Sequence, residues 1–399
     1  MVFSLHQLSV KNKKVLLRVD FNVPIQGEKI CDTSRIEAAL PTISYLLAQG
    51  ASLILLSHLG RPNGRLKRSE SLAPCADVLS GLLGRPVRMA PDCVGMEVEE
   101  MVVAMQPGEI LLLENLRFHP EEENPSLGSY FSQSLARLGD CYVNDAFGAA
   151  HRSHASITEL PKFFPGHVAA GFLVEKEIYY LDQICKNPER PFCVVLGGAK
   201  ISTKLPVVRA LLQKADRVLI GGGMAFTFLQ AAGYSIGRSL YEQEFSDQAR
   251  DCLREAGKKM MLPIDLVVAN ALSAEAAIRE VSIQEGVPDL FYGVDIGPKT
   301  VDLFSKEILE AKTVFWNGPL GVFEIPPFAK GTYAIAQAFG KVKGMTILGG
   351  GDSLSAFRQA GSQARCSHLS TGGGASLEYI ERGTLPGIEA LELNQTRMI

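Results

Sequence analysis

Short apolar runs alternate with longer segments of helical periodicity along the whole chain, and this alternation restricts the fold more than any other feature. Most of the runs are apolar at successive positions, which is typical of strands covered on both faces of a parallel sheet. The segments between them repeat apolar residues at the spacing of amphipathic helices. We predict strands at positions 15–19, 53–56, 110–113, 141–143, 193–196, 218–220, 266–268, 313–316, 346–348 and 368–369.

The chain is long enough to form more than one such sheet. Its 399 residues correspond to two or three domains at roughly 150 residues each. An apolar-periodic helix at 171–184 ends before a proline-containing segment at 187–191, after which a new strand begins. We therefore expect an α/β protein with two doubly wound parallel-sheet (Rossmann-like) domains joined by a hinge helix. The expected boundaries are 1–170 for the first domain, 171–187 for the hinge helix and 188–378 for the second domain.

The composition excludes several classes of protein. Lys and Arg number 40 against 43 Asp and Glu, a net charge of −3, so the overall charge argues against nucleic acid or an anionic membrane surface as a partner. The apolar runs fall far short of the ~20 residues of a membrane-spanning helix, and the first ten residues lack the pattern of a signal peptide. We expect a cytoplasmic protein whose 8 cysteines are reduced thiols.

Polar and cationic side chains follow four predicted strands of the first half. Ligands bind beyond the carboxyl ends of parallel strands, so these side chains are expected to share one sheet edge. For any one arginine alone, a surface ion pair is the better explanation. Together they indicate a site for a small anion, since arginine suits phosphate and carboxylate. The side chains are Asp20, Asn22, His58, Arg61, Arg117, His151 and Arg152, with Arg35 following the first of these loops.

Glycine-rich segments follow the predicted strands of the second half instead. Each triglycine alone is explained equally well as a tight turn. Their recurrence indicates a nucleotide site, because glycine lets the backbone approach phosphates and the next helix directs N–H groups at them. Lys200 and Lys204 are expected to neutralise phosphate charge, and Asp352 beside Ser353 to hold Mg²⁺. The sequence lacks both the P-loop and the dinucleotide fingerprint, which counts against a P-loop enzyme and a nicotinamide dehydrogenase.

Eight motifs together resemble the phosphoglycerate kinase family. The resemblance runs in order from about residue 16 to residue 387, nearly without gaps. The motifs are VDFNVP at 19–24, SHLGRP at 57–62, LENLRF at 113–118, NDAFGAAHRSH at 144–154, LGGAKISTK at 196–204, WNGPLGVFE at 316–324, GGGD at 349–352 and STGGGAS at 370–376.

The resemblance implies Mg²⁺-dependent phosphoryl transfer between 1,3-bisphosphoglycerate and ADP, giving 3-phosphoglycerate and ATP. It also implies that residues 379–399 return to the first domain. The implied substrate-side residues are Asp20, Phe21, Asn22, Arg35, His58, Leu59, Gly60, Arg61, Arg117, His151 and Arg152. The implied nucleotide-side residues are Gly197, Lys200, Lys204, Gly222, Gly293, Asn317, Glu324, Gly350, Gly351, Asp352 and Ser353, with Asp352 as the metal ligand. We assign the transition-state charge to Arg35, Lys204 and the backbone of Gly372, Gly373 and Gly374.

Some features depart from this pattern or stay open. Ser353 stands where threonine is usual, and the tail after Ala390 matches no family pattern. We expect Trp316 to lie in the core and the acidic run at 121–123 to be a solvated turn. The alternative function is a non-catalytic hinged protein that clamps a small anion, and a coupled assay for ATP formation separates the two. We expect a monomer.

Overall fold

The structure, a computed structural model, describes residues 4–27, 29–125, 129–361 and 366–395. The chain divides into two compact units. The first comprises Met1–Tyr179 and Thr384–Ile399, and the second comprises Tyr180–Gly383. None of the helices in the described part of the chain combines the length and the apolar character that a membrane span requires.

The first unit is built on a six-stranded parallel sheet in the order β5-β6-β4-β1-β7-β8. A small antiparallel pair, β2 with β3, follows the first strand. The strands are β1 (Lys14–Arg18), β2 (Ile25–Gln26), β3 (Lys29–Ile30), β4 (Ser52–Leu56), β5 (Arg88–Met89), β6 (Ile110–Leu112), β7 (Cys141–Asn144) and β8 (Val168–Ala170). The helices are α1 (Ser34–Ala48), α2 (Ala73–Leu83), α3 (Met96–Val103), α4 (Pro120–Glu123), α5 (Ser129–Ala136) and α6 (Phe172–Cys185).

The central strands of this sheet are buried on both faces, as their continuous apolar sequence predicts. Val15 of β1 pairs with Leu53 of β4 on one side and with Cys141 of β7 on the other. All five residues of β4 are buried. Aliphatic side chains of α1 and α2, among them Ile43 and Leu79, complete the core on one face. Because the strands are parallel and in register, their carboxyl ends meet at one edge of the sheet.

The second unit contains a six-stranded parallel sheet, in the order β11-β10-β9-β15-β16-β17, and a three-stranded antiparallel sheet, in the order β13-β12-β14. The strands are β9 (Phe192–Leu196), β10 (Arg217–Ile220), β11 (Met260–Met261), β12 (Asp265–Ala269), β13 (Ile278–Ser282), β14 (Tyr292–Ile296), β15 (Thr313–Asn317), β16 (Met345–Gly349) and β17 (His368–Ser370). The helices are α7 (Leu205–Leu212), α8 (Met224–Ala231), α9 (Ser246–Ala256), α10 (Pro298–Glu310), α11 (Lys330–Phe339), α12 (Gly351–Gln359) and α13 (Gly374–Arg382).

The two doubly wound parallel sheets confirm the predicted fold class, whereas the antiparallel sheet was not predicted. The predicted strand at 266–268 exists as β12, but it pairs antiparallel with both of its neighbours. Its partner β13 leaves Ile278, Arg279 and Glu280 exposed. A strand whose residues are largely exposed lacks the continuous apolar run by which the other strands are recognised.

Helix α6 begins directly after β8 and crosses the boundary between the two units. Asp145 Oδ1, beyond the end of β7, accepts hydrogen bonds from the N–H groups of Leu173 at 2.9 Å and Val174 at 3.4 Å. A Cβ atom at Gly171 would lie 2.2 Å from that oxygen. The carboxylate therefore caps the first turn of α6, and only glycine leaves room for it.

The last helix, α14 (Pro386–Gln395), belongs to the first unit. The N–H of Gly387 donates to the carbonyl oxygen of Ala150 at 2.8 Å. A Cβ atom at Gly387 would lie 2.8 Å from Ile157, so the start of this helix packs closely against the segment after β7. The predicted C-terminal segment, 379–399, begins five residues before this unit boundary, and its last four residues lie outside the described ones.

Two expectations about side chains concern the core. Trp316 is completely buried in β15, where its indole N–H donates to the Gly318 carbonyl at 2.8 Å. All 8 cysteines are free thiols, and Cys31 is the exposed one. Both expectations agree with the structure.

Candidate active site

An ion pair lies at the carboxyl edge of the first sheet. The loop after β1 carries Asp20, and Arg35 is the second residue of α1. Arg35 Nη1 lies 2.8 Å from Asp20 Oδ2, and the Arg35 side chain is 35% exposed. One face of the guanidinium is therefore fixed by a carboxylate while the rest of it stays accessible to an anion.

A second set of contacts joins three of the loops at this edge. The N–H of Gly60, after β4, donates to Asn22 Oδ1 at 3.0 Å, and Arg117 Nη1 donates to the Gly60 carbonyl at 2.7 Å. Gly60 adopts a φ of +60°, a conformation that glycine reaches without strain. The structure thus brings Asn22, Gly60 and Arg117 together.

A buried amide that the sequence analysis did not single out holds these loops in register. Asn115 Oδ1 accepts from the N–H groups of Leu59 and Arg117, and its Nδ2 donates to the carbonyls of Leu59 and Glu70. Asn115 is completely buried. Its position within the quoted motif at 113–118 is the sequence signal that could have identified it.

His58 lies at the edge as a neutral imidazole. Its ring Nδ1 lies 3.1 Å from Arg18 Nη2, and the residue is buried. Burial, reinforced by the positive charges of Arg18 and Arg117, holds the pKa of His58 well below its ordinary value. At neutral pH the ring can therefore donate or accept a hydrogen bond but adds no charge.

We predicted that the acidic run at 121–123 is a solvated turn. That prediction is wrong, because Glu122 is completely buried. Its two oxygens accept from the hydroxyl of Ser156 at 2.6 Å and the N–H of Ser156 at 2.9 Å. Arg18, also completely buried, lies 3.9 Å from it. Burial opposes its ionisation, but His154 and Arg18 hold the pKa of Glu122 below its ordinary value. The sequence missed this carboxylate because its partners lie far away along the chain.

The remaining substrate-side residues occupy the same loops. The N–H of Phe21 donates to Ser57 Oγ at 2.9 Å, while Arg61 is exposed. His151 and Arg152 are partly buried in the loop after β7. Burial lowers the pKa of Arg117, although the Glu123 carboxylate, 3.0 Å from the Arg117 Nε, acts in the other direction. The positive charge of Arg152 lowers this pKa further.

At the corresponding edge of the second sheet, Lys204 lies among carbonyl groups. Its Nζ donates to the Gly197 carbonyl at 2.5 Å and to Asn317 Oδ1 at 2.8 Å. Burial lowers the pKa of this ammonium group to about 8, although the negative charge of Asp352 acts in the other direction. The structure therefore brings Gly197, Lys204 and Asn317 together, with a cation that is only partly solvated.

Glycine is required around this cation because the loops approach each other closely. A Cβ atom at Gly197 would lie 2.0 Å from the Pro319 carbonyl oxygen, and one at Gly222 would lie 2.7 Å from the Gly198 nitrogen. Gly222 also has a φ of +64°. At Gly293, in β14, the obstacle would be the Phe226 ring at 2.1 Å. These glycines do more than turn the chain, since they let separate loops form one wall.

A cavity of about 350 Å³, lined in part by Gly222 and Gly293, lies next to these close approaches. Four predicted nucleotide-side residues line it: Gly222, Gly293, Glu324 and Asp352. Apolar and aromatic side chains form most of the remaining wall, and the sequence pattern does not mark them because they come from separate segments that only the fold brings together. These side chains include Phe226, Leu240, Leu266, Leu272, Tyr292 and Leu320.

The amino end of α12 lies beside this cavity. Asp352 is exposed in the first turn of the helix, and Ser353 is buried. The hydroxyl of Ser353 accepts a hydrogen bond from the Gly318 N–H at 2.5 Å. Ser353 therefore braces the neighbouring loop, which leaves Asp352 as the carboxylate that faces solvent.

The other predicted residues of this half lie at loop ends. Gly350 has a φ of +93° immediately before α12, and Gly351 begins the helix exposed. Gly373, with a φ of +53°, precedes α13. The N–H of Gly372 donates to Ser370 Oγ at 3.3 Å. Lys200 is exposed in the loop after β9 and is not part of the cavity lining.

Known proteins similar to this chain were found by sequence and by structure. The family model described as phosphoglycerate kinase matches residues 5–383. A phosphoglycerate kinase of Moorella thermoacetica is 52% identical over 391 residues, which cover 97% of this chain and 98% of the relative. One of Chlamydia abortus is 49% identical over 398 residues, covering 98% of this chain and 99% of the relative.

Solved structures give the same result for the fold. The structure of phosphoglycerate kinase from Coxiella burnetii matches with a TM-score of 0.88 at 39% identity, covering 98% of this chain and 99% of that one. The crystal structure of phosphoglycerate kinase from Pyrococcus horikoshii matches with a TM-score of 0.86 at 32% identity, over the same shares of the two chains.

Proposed function

Because this chain belongs to the phosphoglycerate kinase family, we propose that its two sheet edges divide the family's reaction between them. The chain is a glycolytic kinase that transfers a phosphoryl group to ADP. The donor is the acyl phosphate of 1,3-bisphosphoglycerate. The bond between its carboxyl oxygen and phosphorus breaks, a bond from phosphorus to a terminal ADP oxygen forms, and 3-phosphoglycerate and ATP are the products.

The phosphoglycerate binds at the cationic edge of the first unit. Arg35, Arg61, Arg117 and Arg152 bind its phosphate and carboxylate groups, and charge-assisted hydrogen bonds of this kind are the strongest available. Asp20 and Asn22 orient the cations and the substrate hydroxyl, while neutral His58 adds a hydrogen bond. Support for this comes from the Asp20–Arg35 pair and from the Asn22–Gly60–Arg117 chain of contacts.

The nucleotide binds at the cavity of the second unit. Its volume of about 350 Å³ lies within the range of small-molecule sites, which are mostly apolar with a few polar groups. The base packs between the apolar walls near Gly222 and Gly293, and Glu324 takes a hydroxyl of the sugar. The phosphates extend toward Lys204, Asn317 and the start of α12, where the helix directs its free N–H groups at them.

The residues at the start of α12 fit Mg²⁺. One exposed carboxylate beside phosphate oxygens is the kind of site that Mg²⁺ takes, since it retains several of its waters, and Asp352 offers that carboxylate. When bound, the ion neutralises phosphate charge. We propose Asp352 as its ligand on this chain.

Three parts of the protein stabilise the negative charge on the transferred phosphoryl group. They are Arg35, Lys204 and the backbone N–H groups of the loop at 372–374. Phosphoryl transfer depends mainly on such positioning and charge stabilisation. A general base is not needed, because the accepting phosphate oxygen of ADP is already ionised. Lys204 suits this role because its burial leaves the charge poorly solvated, which strengthens its attraction to an anion.

Two substrates held on separate sheets must approach to within roughly 3–3.5 Å of each other's reacting atoms. We propose that α6, within the hinge segment 171–187, allows the domains at 1–170 and 188–378 to close, with 379–399 returning to the first. Closure also excludes water, which would hydrolyse the acyl phosphate. We further propose a cytoplasmic monomer, and sedimentation analysis would test the oligomeric state.

The observation that carries the proposal is the pairing of an arginine-lined edge in one unit with a glycine-walled cavity beside Lys204 and Asp352 in the other. The test is a coupled assay that starts from 1,3-bisphosphoglycerate. It measures the ATP formed and the inorganic phosphate released as two separate products. ATP formation that requires both ADP and Mg²⁺ supports the proposal. Anion binding without turnover would support the alternative, a non-catalytic hinged binding protein.

A further inference from the structure

A compact group of three metal-ligating side chains lies in the first unit outside the residues assigned above. Asp92 and Cys93 follow β5, and His119 immediately precedes α4. One ligand atom from each of the three lies within 4.8 Å of the other two. Asp92 Oδ1 lies 2.6 Å from His119 Nε2, so two of the three groups already touch.

The group is arranged with one buried ligand and two that reach solvent. Cys93 is completely buried, and its Sγ donates to the Glu114 carbonyl at 2.9 Å. The side chains of His119 and Asp92 are 25% and 47% exposed. The two exposed groups give this cluster access to solvent, and their 2.6 Å contact must open for one ion to bind all three ligands.

The imidazole is held in place by two neighbours. The Phe131 ring stacks on His119 with centroids 5.0 Å apart and an interplanar angle of 23°, while Asp92 bonds one ring nitrogen. The stacked ring limits the orientations that the imidazole can adopt. The ring is thus pre-oriented without being sealed in the core.

The surroundings of the sulfur are negatively charged. The carboxylates of Asp92, Glu122 and Glu114 all act on it electrostatically, and negative charge of this kind favours a divalent cation. Coordination exchanges the thiol proton, which leaves to solvent, for a metal–sulfur bond.

We propose that Asp92, Cys93 and His119 form a binding site for a thiophilic divalent cation of the Zn²⁺ class. A thiolate, an imidazole and a carboxylate are all donors that Zn²⁺ accepts, whereas Mg²⁺ and Ca²⁺ require oxygen ligands. Three protein ligands leave the fourth tetrahedral position to water. The ion ties the loop after β5 to the segment that carries Arg117, two residues before His119.

The test uses the full chain, stripped with a chelator and free of nucleotide, titrated with Co²⁺ as a spectroscopic substitute for Zn²⁺. We expect one equivalent to bind with a thiolate-to-cobalt charge-transfer band, and Zn²⁺ to abolish that band. Cys93→Ser should lose the band. Asp92→Asn and His119→Asn should weaken Co²⁺ binding more than about tenfold. Cys31→Ser, which removes an exposed thiol of the same unit, should leave the band unchanged.

Circular dichroism of the metal-free variants separates loss of a ligand from loss of the fold. If Cys93→Ser fails to fold, the Asp92→Asn variant decides, because that side chain is half-exposed. Absence of a charge-transfer band in the unmodified chain would overturn the proposal. So would a band that survives in a folded Cys93→Ser variant, or Co²⁺ affinity unchanged in both Asp92→Asn and His119→Asn.

Discussion

At the scale of single residues, the proposed site depends on two cations that are only partly neutralised or hydrogen-bonded by the protein. Arg35 has one carboxylate partner and remains 35% exposed, and Lys204 has carbonyl and amide partners but little water. An ion pair that satisfied either cation fully would leave nothing for a substrate. The two cations are thus held in position while retaining capacity to bind an anion.

The protonation of Lys204 predicts a pH dependence of nucleotide binding. Its pKa of about 8 means that the charged fraction falls from about nine-tenths at pH 7 to about one-tenth at pH 9. If only the charged form binds well, ADP affinity should fall about tenfold over this range. Calorimetric titration of ADP at pH 7, 8 and 9 measures this directly.

Asp295 provides the necessary control, because it lines the same cavity and burial raises its pKa to about 8. We expect Lys204→Ala to bind ADP weakly and with little change between pH 7 and 9. Asp295→Asn should retain the pH dependence. The reverse pattern would mean that Asp295, and not Lys204, controls nucleotide binding.

The position of Asp352 predicts that ADP affinity depends on Mg²⁺. Asp352→Asn removes the exposed carboxylate from the first turn of α12 and should reduce the Mg²⁺ enhancement of ADP affinity, since a neutral amide binds Mg²⁺ less strongly. ADP is titrated with and without Mg²⁺ in both proteins. Asp302→Asn, an exposed carboxylate change on α10, serves as the matched control. An unchanged enhancement in Asp352→Asn would place the metal ligand elsewhere.

At the scale of secondary structure elements, the sequence predicts those strands that a local run of apolar residues determines. Each of the ten predicted strands occurs, because a run such as 53–56 can be satisfied only by burial on both faces. The polar residues after these strands fall at the predicted sheet edges, because parallel strands align their carboxyl ends.

What the sequence could not predict depends on partners distant in the chain. The burial of Glu122 follows from its contacts with Ser156 and Arg18, 34 and 104 positions away, and no local pattern marks it. The walls of the cavity in the second unit, such as Phe226 and Leu272, come from segments that meet only in the fold. The antiparallel sheet escaped prediction because β13 is largely exposed.

The side-chain cap of helix α6 leads to a prediction about the stability of the protein. Asp145→Ala removes the oxygen that accepts the N–H groups of Leu173 and Val174 and should destabilise the protein by about 1 kcal/mol, as for other lost helix caps. Asp145→Asn keeps an acceptor oxygen and should cost less. Thermal unfolding of both variants measures the difference. Equal losses in the two would show that capping is not what Asp145 contributes.

At the scale of the whole molecule, the proposed binding of the two substrates to different units means that phosphoryl transfer requires those units to bring them together. We therefore expect the two substrates together to compact the protein more than either one alone. The non-reacting pair of 3-phosphoglycerate and ADP allows this to be measured at equilibrium. Small-angle scattering gives the radius of gyration of the free, singly bound and doubly bound forms, and an identical radius in all four states would contradict hinge closure.

We propose that the phosphoglycerate binds to the cations of the first unit and the nucleotide to the glycine loops of the second. Arg35→Ala tests it, measured by calorimetric binding of ADP and of 3-phosphoglycerate together with the rate of ATP formation. We expect ADP affinity to stay within about twofold, and 3-phosphoglycerate affinity and turnover to fall tenfold to a hundredfold or more, about the effect of losing a charged hydrogen bond. Arg85→Ala, which removes an arginine that bonds only the Gly108 carbonyl among the described residues, should change neither ligand's binding. A large loss of ADP affinity with normal turnover in Arg35→Ala would contradict the division of the two sites.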